Sequence, residues 1–329
     1  MRLRLMPTPR IALFSVLLLA ALAVPAAQPA RRIAVTIDDG PFVNARRVEW
    51  LRNAEAGTTR LLAALRRHSA TATLFVNERQ LQDGGPSEVT ARTALLRRWV
   101  EDGHALGNHT YAHVDASALT ADAFTADVAR GDEVSFRLMA PRGAYQRFFR
   151  HPYTHTGETP EKKGAIGRFL GARGYTITPH TIENADWQFN HPFVRAVDAG
   201  DSAAEEKVAD AYLTHSLEAV AFAEGASRRV FGREIPQLLL IHTNHVNAAL
   251  LDTLLGRIAA RGYRFVPLDE VMKDDAYRTP DTWVGRGGPT WLFRWSRSLG
   301  QTGSFAGEPE PPAWIADPPP APSREGKRQ

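Results

Sequence analysis

The chain has 329 residues, of which 43% are hydrophobic, enough to bury one large core or two ordinary domains. Its formal charge of +4 at pH 7 includes three arginines within residues 1–27, where there is no acidic residue, so a chain without this segment would carry +1. Because lysine and arginine are otherwise scattered along the sequence, nucleic acid is not expected as a partner.

Residues 1–27 have the pattern of a signal peptide. A basic start is followed by the apolar run Ile11–Val24, and the small residues of Val24–Ala27 are typical of a cleavage site. The run of about fourteen residues is shorter than the roughly twenty of a membrane-spanning helix, so no stable anchor is expected. We therefore expect a periplasmic or secreted protein. It contains no Cys, so disulfides are excluded and any metal must bind through His, Asp or Glu.

Seven short segments predict β-strands, and segments with helical periodicity separate most of them. The predicted strands are Ile33–Ile37, Thr73–Val76, Ala105–His109, Gln146–Arg150, Tyr175–Thr178, Leu238–Ile241 and Tyr263–Val266. The predicted helices are Thr59–His68, Arg92–Asp102, Thr120–Leu138, Pro160–Arg173, Ala203–Arg229 and Ala248–Arg261. This alternation is typical of parallel βα units, and about seven of them predict a barrel-like closure.

Two motifs contain residue types that bind metals. Asp38 and Asp39 are adjacent where the first strand meets a Gly-Pro turn. His109 and His113 are four residues apart, a spacing that puts both imidazoles on one face of a helical turn. Two imidazoles and one carboxylate form a three-ligand zinc set with a fourth position open for water. The other carboxylate could take a proton from that water, which predicts metal-assisted hydrolysis.

Three further polar residues, Arg150, Asp186 and His242, also follow strands in this interpretation. In βα barrels the groups that carry out chemistry lie at the carboxyl ends of the strands. We therefore expect these three residues to lie close to the two metal-binding motifs.

The composition changes after residue 272. Residues 273–329 are rich in Gly, Pro and Trp, and they include Trp283, Trp291, Trp295 and Trp314. Exposed aromatic faces could stack on sugar rings, but packing of the 291–295 segment onto the barrel is the favoured interpretation, because large aromatics stabilise chiefly through burial. The proline-rich part from Pro309 onward predicts an extended or disordered tail.

Five segments, in order, resemble the motifs of the polysaccharide deacetylase family, carbohydrate esterase family 4, whose shared region is the NodB homology domain. They are Thr36–Pro41, His109–His113, Arg150–Tyr153, Glu183–Trp187 and Leu239–His242. The first departs from the family pattern by Ile37, where Phe is usual. The resemblance covers roughly residues 32–272. It implies a single catalytic domain with the fold of a distorted TIM-like (β/α)7 barrel, followed by a C-terminal extension.

The resemblance implies a role for each site residue. The expected metal ligands are Asp39, His109 and His113, with zinc as the expected ion. The expected catalytic residues are Asp38, His242, Arg150 and Asp186. The expected substrate-binding residues are Tyr153, Trp187 and Leu240.

Asp38 would be the general base and His242 the general acid that protonates the leaving amine, a task suited to a group titrating near neutrality. Arg150 and Asp186 would pair with each other and orient Asp38. The backbone N–H of Tyr153 would stabilise the oxyanion. Trp187 and Leu240 would surround the acetyl methyl group.

The expected function is metal-dependent removal of N-acetyl groups from a carbohydrate polymer or oligosaccharide, so the expected partner is an acetylated glycan. Peptidoglycan, chitin oligomers and matrix polysaccharides all present the same acetamide group. Two alternatives remain: a metal-dependent amidohydrolase acting on a small non-sugar amide, and a catalytically idle glycan-binding module.

Overall fold

The centre of the sheet is an apolar strand near the start of the described chain. The computed structural model describes residues 31–46, 49–143, 145–302 and 305–316. Ile33–Ile37 forms the middle of the first strand and is buried on both faces. A strand buried on both faces of a parallel sheet has a continuous apolar run instead of an alternating pattern. The predicted signal peptide, residues 1–27, lies outside the described residues.

The described residues contain eight strands, each parallel to the strands it pairs with. They are β1 (Arg31–Gly40), β2 (Ala72–Val76), β3 (Ala105–Asn108), β4 (Arg147–Phe149), β5 (Tyr175–Ile177), β6 (Ile182–Glu183), β7 (Gln237–His242) and β8 (Tyr263–Phe265). Their order is β5-β4-β3-β2-β1-β7-β6, and β8 pairs with the beginning of β1. All seven predicted strands are confirmed, and β6 is too short to have a sequence signal.

Helices connect most of these strands. They are α1 (Trp50–Arg67), α2 (Arg79–Gln82), α3 (Pro86–Glu101), α4 (Ala121–Arg130), α5 (Glu133–Met139), α6 (Pro160–Ala172), α7 (Asp186–Ala199), α8 (Ser202–Phe231), α9 (His245–Ala260), α10 (Leu268–Val271), α11 (Trp291–Ser298) and α12 (Ala313–Ala316). The sheet curls so far that residues 178–181 join its two end strands, β5 and β6. The predicted distorted (β/α)7 barrel is therefore confirmed. No helix in the described segments combines the length and apolar character needed to cross a membrane.

Two departures from the helical predictions lie close to the predicted site residues. The segment predicted as one helix over 120–138 forms α4 and α5, which are separated at Gly131 and Asp132. A Cβ atom on Gly131 would lie 2.6 Å from the carbonyl carbon of Thr110. Because glycine has no Cβ atom, the His109–His113 segment can pass close to the chain at this break. Helix α7 was not predicted, and its first residue is the site residue Asp186.

The C-terminal extension packs into the same core as the barrel. Trp291, Leu292 and Trp295 are buried in the main apolar cluster between the sheet and its helices, as the packing interpretation predicted. Ile315 is buried in this cluster too, so the prediction of an extended or disordered tail is wrong for that part of the chain. Residues 317–329 lie outside the described residues. The domain boundary at residue 272 stays a prediction.

Candidate metal and catalytic site

The end of β1 departs from regular strand geometry at the two adjacent aspartates. In a regular strand, neighbouring side chains point to opposite faces of the sheet. Here the pairing of β1 with β2 shifts register between Ile37 and Gly40, and Asp39 has a left-handed φ of 65°. As a result both carboxylates approach one imidazole: His109 Nε2 lies 3.8 Å from Asp38 Oδ2 and 3.5 Å from Asp39 Oδ1.

The His109–His113 segment is a loop, and the prediction that a helical turn aligns its histidines is wrong. Thr110 and His113 have left-handed φ values of 63° and 54°, which no α-helix contains. Neighbouring elements hold the loop instead: Asn77 Nδ2 donates to the His109 carbonyl at 2.6 Å, and the Ala112 N–H donates to an Asp127 carboxylate oxygen at 2.9 Å. The spacing therefore brings both imidazoles together for a different structural reason.

Asp39, His109 and His113 form a cluster that could hold a metal ion, since each offers a ligand atom within 4.8 Å of the others. Asp39 Oδ1 lies 3.3 Å from His113 Nε2, and this buried oxygen has no hydrogen-bond partner among the described residues. The three predicted ligands are thus adjacent. Their side chains come from the ends of two strands that are not neighbours, β1 and β3.

The tautomer of His109 supports a cation at this position. His109 Nδ1 lies 2.8 Å from the carbonyl oxygen of Arg150, which can only accept, so Nδ1 carries the proton and Nε2 faces Asp39 with its lone pair. Burial and the neighbouring His113 hold the pKa of His109 well below its usual value, so the ring is neutral. A lone pair and a carboxylate oxygen facing each other repel unless a cation lies between them. A ligating histidine whose other nitrogen donates to a carbonyl is the usual arrangement in metal sites.

Arg150 is fully buried at the end of β4 and faces Asp38. Its Nη1 lies 3.5 Å from Asp38 Oδ2, and its Nη2 donates to Thr36 Oγ1 at 2.9 Å and to the Pro179 carbonyl at 3.1 Å. Thr36 and Asp38 are two residues apart on one face of β1, so a single guanidinium reaches both. Burial raises the pKa of Asp38 above its usual value, and the charge of Arg150 opposes that rise.

The predicted pair of Arg150 with Asp186 is wrong, because Asp186 accepts hydrogen bonds from His242. Asp186 Oδ1 accepts from His242 Nδ1 at 2.7 Å, and Oδ2 accepts from the His242 backbone N–H, also at 2.7 Å. Side-chain amides of Asn244 and Asn247 donate to the same Oδ2. The strand order explains this partner choice, since β6, which precedes Asp186, is the neighbour of β7, which ends at His242.

The Asp186 carboxylate keeps His242 protonated. Burial alone lowers the pKa of His242, but the charge and hydrogen bond of Asp186 outweigh it and raise the pKa to about 10. Burial likewise raises the pKa of Asp186, and the charge of His242 with its hydrogen bonds outweighs that effect and lowers the pKa below the usual value. His242 therefore carries a proton at neutral pH, on a ring oriented through Nδ1, and it lines the central cavity.

The cavity over these groups measures about 750 Å³ and is lined by all three predicted substrate-binding residues. Leu240 is buried and lies two residues before His242, so both side chains are on the same face of β7. Trp187 is 57% exposed and Tyr153 is 56% exposed, which places both at the rim. Tyr153 has a left-handed φ of 55°, and its ring contacts that of His113 at 4.6 Å between centroids.

Part of the cavity wall was not predicted. Gly288, Pro289, Thr290 and Glu308, all from the C-terminal extension, line it together with Glu183. Burial, followed by the charge of nearby Asp186, raises the pKa of Glu183 to about 6. The one sequence signal available for this wall was a turn rich in Gly and Pro between Trp283 and Trp291, and that signal does not specify where the turn lies in the fold.

Comparisons with known proteins show which proteins this chain is similar to. The family model described as "Polysaccharide deacetylase" matches residues 26–175. The chain is 26% identical over 253 residues to a chitin deacetylase of Colletotrichum lindemuthianum, a match that covers 76% of this chain and 82% of that protein. This chain is similar to the polysaccharide deacetylase family. The deacetylases that it resembles imply a hydrolase.

Two further relatives define how far the similarity extends. The peptidoglycan-N-acetylglucosamine deacetylase PgdA of Listeria monocytogenes is 24% identical over 250 residues, which are 75% of this chain but 40% of that protein. The solved structure of the chitin deacetylase from Colletotrichum lindemuthianum has a TM-score of 0.50 and 24% identity, and the match covers 78% of this chain and 92% of that one. The structural similarity supports the shared fold.

Proposed function

We propose that this protein removes N-acetyl groups from an acetylated glycan in a metal-dependent reaction. The observation that carries the proposal is the meeting, in one cavity at the strand ends, of a His–His–Asp cluster, a separate buried carboxylate and a protonated histidine. The relatives named for deacetylating chitin and peptidoglycan N-acetylglucosamine support an acetylated amino sugar as the substrate.

Asp39, His109 and His113 would hold the ion, and zinc suits two imidazoles and one carboxylate. When bound, such an ion lowers the pKa of a water molecule and polarises a carbonyl group. Asp38 lies next to this cluster and is not needed as a ligand, so it accepts the proton of the attacking water. Arg150 holds that carboxylate in place and favours its charged form.

The remaining residues act on the substrate. The backbone N–H of Tyr153, at the rim, would donate to the developing oxyanion. His242 donates its proton to the departing amine, and Asp186 stabilises the charged imidazole before that step. Leu240 and Trp187 supply apolar surface for the acetyl methyl group. We also propose that the protein is exported after removal of residues 1–27, which N-terminal sequencing of the secreted protein would test.

Acetate release from a panel of N-acetylglucosamine oligomers and acetylated polymers tests the proposal. We expect acetate from at least one glycan, loss of activity with a chelator, and recovery when zinc is added. Amine release from small non-sugar amides, without acetate release from any glycan, would favour the first alternative instead. Glycan binding without turnover in protein whose metal content has been measured would favour the idle binding module.

A further inference from the structure

The segment Pro152–Thr154, at the rim of the cavity, has an unusual backbone. Tyr153 and Thr154 are consecutive non-glycine residues with left-handed φ values of 55° and 56°. This conformation costs free energy for any residue with a Cβ atom, and more for a β-branched residue such as threonine. It persists only where surrounding groups hold it, so the contacts of this segment identify what holds it.

One such group is the backbone of Gly288 in the C-terminal extension. The Thr154 hydroxyl donates to the Gly288 carbonyl at 2.8 Å. A Cβ atom on Gly288 would lie 1.9 Å from Thr154 Oγ1 and 2.3 Å from the Tyr153 carbonyl oxygen. The extension therefore touches the segment so closely that only glycine fits at this position.

The second group is Arg294, on helix α11 of the extension. Its guanidinium is fully buried and donates to the Thr154 carbonyl at 2.6 Å and to Thr156 Oγ1 at 3.2 Å. It also donates to the Pro289 carbonyl at 2.9 Å and pairs with Asp281 at 3.1 Å. A buried arginine is costly unless its donors are satisfied, and these partners satisfy donors on all three of its nitrogens.

The partners of Arg294 belong to two parts of the chain. Thr154 and Thr156 follow β4 of the barrel, whereas Asp281 and Pro289 belong to the extension. The same guanidinium lies 3.9 Å above the ring of Trp291, which is buried in the core. Arg294 thus ties the strained segment to a rigid part of the extension.

We propose that the C-terminal extension is part of the active site, with Arg294 and Gly288 as positioning residues that hold the Tyr153 backbone where the oxyanion forms. Neither residue needs to touch the reacting atoms. The effect on the reaction rests on the proposed function, because it requires the Tyr153 N–H to serve as a donor in the transition state. The effect of Arg294 and Gly288 on the conformation of the Pro152–Thr154 segment does not rest on the proposed function.

The test compares Arg294→Gln, Arg294→Lys and Gly288→Ala with the wild type and with Arg297→Gln. Arg297 is an exposed arginine on the same helix, whose guanidinium lies over Phe293, so it controls for loss of charge on α11. Removing a donor to an oxyanion, or misplacing it by about 1 Å, costs on the order of 100-fold in rate. We expect Arg294→Gln to lower kcat by about 100-fold with KM changed less than about threefold.

Arg294→Lys can restore one of the lost hydrogen bonds, so its kcat should lie between those of the wild type and Arg294→Gln. Arg297→Gln should retain the wild-type kcat. Hydrogen exchange gives a readout independent of activity: in Arg294→Gln the amides of residues 151–156 should exchange faster, while bound zinc and protection elsewhere are unchanged. A merely structural role would instead accelerate exchange across the barrel.

Three results would overturn the proposal: a wild-type kcat in folded Arg294→Gln, a loss of kcat accompanied by loss of protection throughout the protein, or unchanged exchange at residues 151–156. If Arg294→Gln does not fold, Gly288→Ala decides, and a wild-type kcat in that variant rejects the proposal. If the wild type releases no acetate from any glycan, the proposed function fails. Exchange at residues 151–156 then tests the positioning role alone.

Discussion

Replacing Asp186 by Asn tests how the protein keeps His242 protonated. The carboxylate accepts from both the side chain and the backbone of His242 at 2.7 Å, and the pKa of His242 is raised to about 10. Asparagine removes the charge while keeping nearly the same shape. Burial lowers the pKa of His242, and in this variant no carboxylate charge opposes that effect. We therefore expect the pKa of His242 to fall to its ordinary 6.5 or below.

The expected change in rate follows from the protonated fraction. At pH 8 a histidine with a pKa near 6.5 is about 3% protonated, whereas one with a pKa near 10 is almost fully protonated. If the protonated ring is the general acid, kcat at pH 8 should fall by at least about 30-fold. A bound divalent cation would lower the pKa of His242 in the wild type and in the variant alike. The decisive quantity is therefore the difference between these two pKa values.

The assay is kcat against pH from 5 to 11 with a saturating acetylated oligomer. In the wild type the alkaline limb should reflect the raised pKa of His242, and in Asp186→Asn it should move down by at least about 3.5 pH units. Asp252→Asn is the matched control, because Asp252 Oδ1 lies 3.1 Å from His68 Nε2 in a similar pair outside the cavity. The reasoning is refuted if the alkaline limb of Asp186→Asn coincides with that of the wild type.

The same pair links stability to pH. Because the pKa of His242 is raised in the folded protein, the contribution of His242 to the free energy of unfolding is complete below pH 6.5. This contribution is lost as the pH rises through about 10. The pKa of Asp186 is lowered, so its contribution is present above pH 3.8 and is lost as the pH falls through the folded value. Thermal unfolding of Asp186→Asn should therefore depend less on pH between 6.5 and about 10, because His242 is then neutral in both the folded and the unfolded protein.

Two further predictions concern the metal cluster and the charge of the substrate. Asp39→Ala should lose bound zinc and activity together. Asp38→Asn should retain zinc, as measured by elemental analysis, but its kcat should fall by at least about 100-fold. Full activity in zinc-loaded Asp38→Asn would reject the assignment of Asp38 as the general base. The described residues that line the cavity include four carboxyl groups, the two aspartates with Glu183 and Glu308, and neither Lys nor Arg. A neutral N-acetylglucosamine oligomer should therefore be deacetylated with at least about tenfold higher kcat/KM than a matched substrate whose sugar carries a carboxylate, and equal values would contradict this inference.

The strands could be predicted because their sequence signal is local. Segments such as Ile33–Ile37 and Leu238–Ile241 are apolar without interruption, and only a strand buried on both faces uses such a short run in an alternating βα pattern. The candidate site residues could be predicted for a related reason. They follow these strands, and the carboxyl ends of parallel strands meet at one side of the barrel.

Some local predictions failed because backbone conformation depended on distant contacts. The spacing of His109 and His113 is compatible with a helix, but tertiary hydrogen bonds hold Thr110 and His113 in left-handed conformations. The break between α4 and α5 has the same origin, since the glycine there admits the backbone of that loop. Sequence periodicity indicates only the secondary structure that a segment favours by itself. It contains no information on contacts with residues far away in the chain.

From the sequence alone one can determine the order of the strands along the chain, the residue types at their ends and the class of chemistry that those types support. Only the tertiary structure decides which residues become partners. Asp186 binds His242, and not Arg150, because β6 lies next to β7 in the sheet. The extension reaches the cavity because α11 packs into the core and sets Arg294 on Thr154. Strand order and packing create these contacts between residues far apart in the chain, so no local pattern encodes them.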